Sequence, residues 1–241
     1  MSKKKIKGVT PCEKTVNKDQ EFSLGIKFKK SLSLAARTPN QIELFKSIKN
    51  NLITIVSGNA GTGKTIISVV SGLKSFSKGE YGKMIFTRPC VEANDENLGF
   101  LPGDLNAKIY PYMMPIFDFL SDYMEADAIE KLSRENMLQT IPLAFLRGVT
   151  FKNAFVLLDE SQNASVKQLR TFLTRIGDNC KVVITGDPNQ SDIKGENGLS
   201  DALKRFRDVQ DINIVELTEE DICRHPVVAR IEKKYEDLDK K

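Results

Sequence analysis

The stretch Val56–Ser68, "VSGNAGTGKTIIS", follows a short apolar run at Leu52–Val56, spends three of six residues on glycine, and passes through a lysine and a threonine into two isoleucines. Gly58-Asn59-Ala60-Gly61-Thr62-Gly63-Lys64-Thr65 matches G-x-x-x-x-G-K-[ST] at every position. The chemistry requires these types. Glycines let the backbone wrap an anion with its N–H groups pointing inward. The loop then enters a helix whose N-terminus attracts negative charge. Lys64 is placed to reach the outer phosphates of a nucleoside triphosphate, and the Thr65 hydroxyl to join the shell of a Mg²⁺ ion. A strand before and a helix after supply the context this motif needs.

Outward from that loop, short apolar runs recur at Met84–Thr87, Ala154–Leu158, Val182–Thr185 and Ile212–Leu217. Segments long enough for helices separate them, with helical patterns at Thr65–Ser77, Tyr112–Tyr123, Val166–Ile176 and Leu199–Phe206. Nearly unbroken apolar strands alternating with helices predict a mainly parallel α/β sheet covered on both faces, that is, a doubly wound fold. A further helix is expected from "TPNQIELFKSIKN", with Thr38 as cap, Pro39 in the first turn and Gln41 three residues after Thr38, as in a capping box. Residues 1–22 are polar and lysine-rich and read as a flexible basic arm; residues 23–241 read as one domain.

Composition narrows the classes. The chain has 241 residues, 40% hydrophobic and 28% charged, with a net charge of +4, ordinary for a globular protein and only mildly basic. No apolar run approaches the roughly 20 residues of a membrane span, and "MSKKKIKG" leads into no apolar stretch of a secretion signal. The expectation is a cytoplasmic protein. Cys12, Cys90, Cys180 and Cys223 are far apart and the single histidine is His225, so the thiols read as unpaired and no zinc site is expected. His225, before a proline, reads as structural.

Two further strand ends carry chemistry. "NAFVLLDESQN" delivers Asp159 and Glu160 at the carboxyl end of a buried strand, where sheets of this kind bind ligands. Asp159 suits the metal and Glu160 suits polarising an attacking water. "KVVITGDPNQSD" ends in a tight Gly-Asp-Pro turn that sets Gln190 at the same rim, where an amide can sense a γ-phosphate or orient water. Arg147 and Arg224 are candidate arginine fingers, each with an ordinary surface role as the alternative. Gln41 either completes its helix cap or also reads the adenine edge. Thr87 and Arg88, at the exit of the second strand, are candidates for holding a phosphodiester backbone.

These residues sit in stretches that resemble the PhoH-like proteins, phosphate-starvation-inducible ATPases. The matching stretches are "SGNAGTGKT", "TRPCVEANDENLGFLPGDL" with "YPYMMPIFDFL", "PLAFLRGVTF", "VLLDESQNAS", "ITGDPNQ" and "DICRHPVVARIEKKYE", covering most of residues 35–236. The resemblance implies a RecA-like P-loop ATPase core, similar to the first motor lobe of superfamily 1 helicases. Under it, Gln41 looks like an adenine-reading glutamine, Gln190 like the group coupling γ-phosphate to nucleic acid, and Thr87 with Arg88 like a backbone-contacting motif. Some relatives carry a PIN ribonuclease domain or an RNA-binding appendage, and neither flank here is expected to hold one. With room for one motor lobe, a finger arginine in trans predicts a homo-oligomer, a ring being one form. The expected function is Mg²⁺-dependent ATP binding and hydrolysis coupled to single-stranded RNA or DNA, with helicase-like activity through the oligomer. The alternatives are an ATP-gated binding module with negligible turnover and a small-molecule (nucleoside) kinase.

Overall fold

The computed structural model describes residues 26–90, 105–146, 148–223 and 227. Among them, six strands form one sheet: β1 (Ile53–Ser57), β2 (Lys83–Thr87), β3 (Leu138–Thr140), β4 (Ala154–Leu158), β5 (Cys180–Gly186) and β6 (Ile212–Glu216). Their order is β3-β2-β4-β5-β1-β6 and every pairing is parallel. All carboxyl ends therefore open on one edge. β5 lies between β1 and β4, with Ser57 beside Gly186 and Leu158 beside Ile184.

The four central strands, β2, β4, β5 and β1, are buried along nearly their whole length on both faces, which is why their sequences show little polar alternation, whereas the edge strands β3 and β6 are only partly buried. In β4, Phe155 and Leu157 join an apolar cluster with Leu44 and Ile48 of α1 (Pro39–Asn50), Val70 and Leu73 of α2 (Lys64–Ser77) and Ile116 of α3 (Leu105–Ser121). Ala154, Val156 and Leu158 join a second cluster with Leu169 and Phe172 of α5 (Val166–Leu173) and Leu199 and Ala202 of α6 (Gly198–Arg205). Burying such a side chain contributes about 1.5–3 kcal/mol. Helices thus cover both faces, and the expected doubly wound, parallel α/β fold is what the chain adopts.

Four local features differ from the sequence reading. The strand β3 and the helix α4 (Ala126–Arg134) were not expected. Helix α3 starts at Leu105 rather than Tyr112 and runs through Pro111 and Pro115. Each proline removes one N–H from the ladder; the two are four residues apart and line the clefts at the carboxyl edge of the sheet. α5 ends at Leu173 rather than Ile176. Residues 26–38 lead into α1 without a helix or named strand, with Ile26 and Leu32 in the core. Residues 1–22 lie outside the described residues.

Candidate functional site

The loop Gly58–Gly63 leaves β1 and enters α2 at Lys64. Two glycines are dictated by local geometry. Gly58 has φ +153°, and a Cβ there would stand 2.5 Å from the Leu217 carbonyl oxygen; Gly63, at φ +92°, sits at the helix entrance. Thr62 is fully buried and donates its hydroxyl to the Asn59 carbonyl at 2.8 Å, bracing the loop from within. Lys64 Nζ donates to the Gly58 and Asn59 carbonyls at 2.5 and 2.8 Å, so the ammonium lies over the loop's own mouth. The loop borders a cleft of about 580 Å³ lined by Ala60, Gly61, Gly63, Lys64 and Thr65 on one side.

The opposite side is the exit of β4. Asp159 is 3% exposed, and its Oδ1 accepts two hydroxyls, Thr65 Oγ1 at 2.9 Å and Thr185 Oγ1 at 2.5 Å. The phosphate loop, β4 and β5 thus meet on one carboxylate oxygen. Glu160 follows with φ +55°, a left-handed conformation uncommon for a side chain of this kind, and lines the same cleft. Such outliers persist where the surroundings fix them. Its two oxygens are both held: Oε1 lies 3.1 Å from Arg88 Nη2, and Oε2 accepts from Gln162 Nε2 at 2.6 Å. Gln190 is exposed and lines the cleft from the turn after β5, where its backbone N–H donates to the Asp187 carbonyl.

Gln41 is 4% exposed and reaches the cleft from α1. Its backbone N–H donates to the Thr38 hydroxyl, so the first half of the expected capping box is present. The reciprocal half is not: Oε1 accepts from the N–H of Arg37, one residue before the cap. Its Nε2 donates to the Thr62 carbonyl at 3.0 Å and contacts Cys223 Sγ at 3.4 Å. Gln41 therefore ties the helix to the phosphate loop as well as bordering the cleft. The cap itself is locked from outside by Asp221, whose carboxylate accepts from Thr38 Oγ1, from Asn40 Nδ2 at 2.9 Å and from the Thr218 N–H at 2.7 Å.

Thr87 and Arg88, the candidates for holding a phosphodiester backbone, differ in exposure and direction. Thr87 is fully buried, since both neighbouring strands and the helix layers enclose the end of β2. Arg88 turns inward: its Nε is 3.5 Å from Asp159 Oδ2, its Nη1 donates to the Tyr112 carbonyl at 2.9 Å, and its guanidinium borders the cleft. Two adjacent carboxylates draw it there. Arg147 and Arg224, with His225, lie outside the described residues, as does Cys12. Cys90, Cys180 and Cys223 are free thiols. Burial pushes the Cys90 thiol up, outweighing the pull of the Arg88 guanidinium beside it.

The sequence reading thus brings the phosphate loop, Lys64, Thr65, Asp159, Glu160, Gln190 and Gln41 to one cleft. It missed Gln162, Thr185 and Cys223. Gln162 stood in the quoted "DESQN" and Thr185 at a strand end, but residue type gave no sign of which way either side chain turns.

The family profile described as PhoH-like protein matches residues 33–236. The chain belongs to the PhoH family. A PhoH-like protein of Bacillus subtilis is 42% identical over 209 residues, 86% of this chain and 65% of that protein. One of Mycobacterium tuberculosis is 40% identical, over 89% of this chain and 61% of the relative. Protein PhoH of Escherichia coli is 38% identical over 82% and 56%. The chain therefore spans a little over half to about two thirds of these relatives' lengths. Among solved structures, a Sulfolobus solfataricus SWI2/SNF2 ATPase core in complex with dsDNA aligns with a TM-score of 0.45 at 15% identity, over 80% of this chain and 46% of that one. A Pif1 helicase from Candida albicans aligns with a TM-score of 0.39 at 16% identity, over 77% and 40%. Among the described residues of this PhoH-family chain, no helix is long and apolar enough to cross a membrane.

Proposed function

We propose that this PhoH-family chain binds and hydrolyses ATP with Mg²⁺ and that single-stranded RNA or DNA stimulates the cycle. The observation carrying this reading is the convergence on Asp159 Oδ1 of hydroxyls from the phosphate loop and from β5, with Lys64, Glu160 and Gln190 around the same cleft.

The residues fit both groups. Thr65 and Asp159 present hard oxygens 2.9 Å apart beside a phosphate cradle, the donor set Mg²⁺ prefers. Bound there, the ion would neutralise charge on the phosphates. The loop's N–H groups and Lys64 hold the triphosphate, and Gln41 borders the base end. Glu160, pinned at both oxygens, orients and polarises the attacking water. Arg88 places positive charge next to the reacting region, with Arg147 and Arg224 as the further finger candidates. A second cleft of about 640 Å³ adjoins the first, sharing Arg88, Glu160 and Gln190 and adding Tyr112 and the amides of Asn163 and Asn189. Ring faces and amides suit the unstacked bases of a single strand.

Phosphate release from ATP, measured alone and with single-stranded RNA or DNA at several salt concentrations, tests the proposal. Stimulation that fades with salt is expected, because backbone contacts release counterions. Transfer of phosphate to a nucleoside, or tight binding without turnover, replaces the proposal with a kinase or an ATP-gated module. Assembly into a homo-oligomer, which would supply a finger in trans, is read by light scattering with and without a nonhydrolysable ATP analogue.

A further inference from the structure

Gln162 is 2% exposed and uses both ends of its amide. Nε2 donates to Glu160 Oε2 at 2.6 Å, and Oε1 accepts the backbone N–H of Asp187 at 3.1 Å. The Asp187 carbonyl in turn accepts the N–H of Gln190. The ladder between β4 and β5 is paired as far as Leu158 and Ile184. Beyond it side chains take over: the Thr185 hydroxyl donates to Asp159 and the Ser161 hydroxyl to the Thr185 carbonyl, and Gln162 is the side chain that links the segment after β4 to Asp187 in the turn after β5.

Two features show that the link is built into the fold. Glu160 offers only acceptors and the Asp187 N–H only a donor, so the bridging group must donate at one end and accept at the other; a glutamine amide does both. Room for it comes from Gly186, where a Cβ would stand 2.6 Å from Gln162 Oε1 and 2.8 Å from Ser161 Oγ. Glycine is needed there for close approach rather than for backbone conformation.

We infer that Gln162 is a positioning residue that couples the Glu160 carboxylate to the Asp187–Gln190 turn. Glu160 and Gln190 border both clefts, whereas Gln162 borders the second. A strand that fixes Gln190 in the second cleft thereby fixes the orientation of the water-polarising carboxylate in the first. The inference rests on the proposed function and names how its two sites communicate.

The test uses the full chain with Gln162→Leu, which keeps bulk and loses both hydrogen bonds, and Gln162→Glu, which keeps the acceptor and loses the donor. In Gln162→Leu, affinity for a fluorescent nonhydrolysable ATP analogue with Mg²⁺ stays within about twofold of wild type. Its kcat in the presence of oligo-dT or poly-U falls at least roughly tenfold, the ratio of stimulated to basal turnover approaches one, and amide hydrogen exchange at Asp187–Gln190 accelerates. Gln162→Glu retains exchange protection at Asp187 and still loses stimulated turnover. Combining Gln162→Leu with Gln190→Ala costs little beyond Gln190→Ala alone, because both cut the same connection. An unchanged stimulation ratio in Gln162→Leu, or multiplicative losses in the double variant, overturns the inference. Absence of turnover in wild type refutes the functional reading instead, and exchange at Asp187 then decides by itself whether Gln162 makes the link.

Discussion

The guanidinium of Arg88 lies 3.1 Å from one Glu160 oxygen, while its Nε sits 3.5 Å from Asp159. One cation is thus shared by the two carboxylates of the site. Two unit charges at this range feel about 5 kcal/mol under an effective dielectric near 20. Arg88→Gln removes that attraction and leaves the acidic pair undercompensated. Mn²⁺ titration by electron paramagnetic resonance is expected to show divalent-cation affinity raised roughly three- to tenfold, a modest share of that energy. Unchanged affinity would place Arg88 outside the electrostatics of the metal position.

Under the proposed function, Lys64 and Glu160 divide binding from turnover. Lys64→Ala is expected to weaken ATP at least roughly tenfold, since it removes the charge over the loop's mouth. Glu160→Gln keeps the shape and the contact with Gln162, so nucleotide binding persists while phosphate release drops by about 10²–10⁴. Equilibrium binding and single-turnover phosphate assays on the two variants separate the effects.

Gly72 sits inside α2, where alanine is favoured over glycine by about 1 kcal/mol. The core decides otherwise. A Cβ there would stand 2.6 Å from the Phe155 ring and 2.9 Å from the Met84 methyl, and Phe155 is 1% exposed in an edge-to-face contact with Tyr81. Overpacking costs about 1–3 kcal/mol. Gly72→Ala is therefore expected to lower the melting temperature in calorimetry.

Asp221 carries a pH signature. Burial pushes its carboxyl up, but hydrogen bonds from Thr38, Asn40 and Thr218 more than offset this and hold it below the ordinary aspartate value of 3.8. A group depressed in the folded chain contributes stability that is complete above the unfolded value and disappears as pH falls through the folded one. Urea midpoints for wild type are expected to drop in that acid window, and Asp221→Asn to flatten this part of the curve while lowering the plateau above it.

Much of the architecture was legible because its signals are local. An apolar run, a glycine-rich turn and a capped helix each declare themselves within a few residues, and parallel order follows from their alternation. β3 was missed because Leu138–Thr140 has three residues and only Leu138 is buried. α4 was missed because it buries only Ile129 and Leu132 and has no side-chain cap. At the site, Lys64, Asp159 and Glu160 were found through motif and strand end. Arg88 was read at the strand exit, but its pairing with Asp159 and Glu160 was not, because those carboxylates arrive from a different strand. Gln162 was passed over for the same reason: its partners are Glu160, two residues away, and Asp187, in the turn after β5, and no spacing rule joins all three.

β5 is paired with β1 from Val182 to Gly186 on one flank and with β4 from Cys180 to Ile184 on the other. It cannot slide against either neighbour without rupturing a ladder, so the three strands carrying the cradle, the acids and the reporter form a stationary anvil. Under the proposed function, a change of nucleotide state is then passed on, among the described residues, by the turns and side chains at the rim rather than by sliding of these strands.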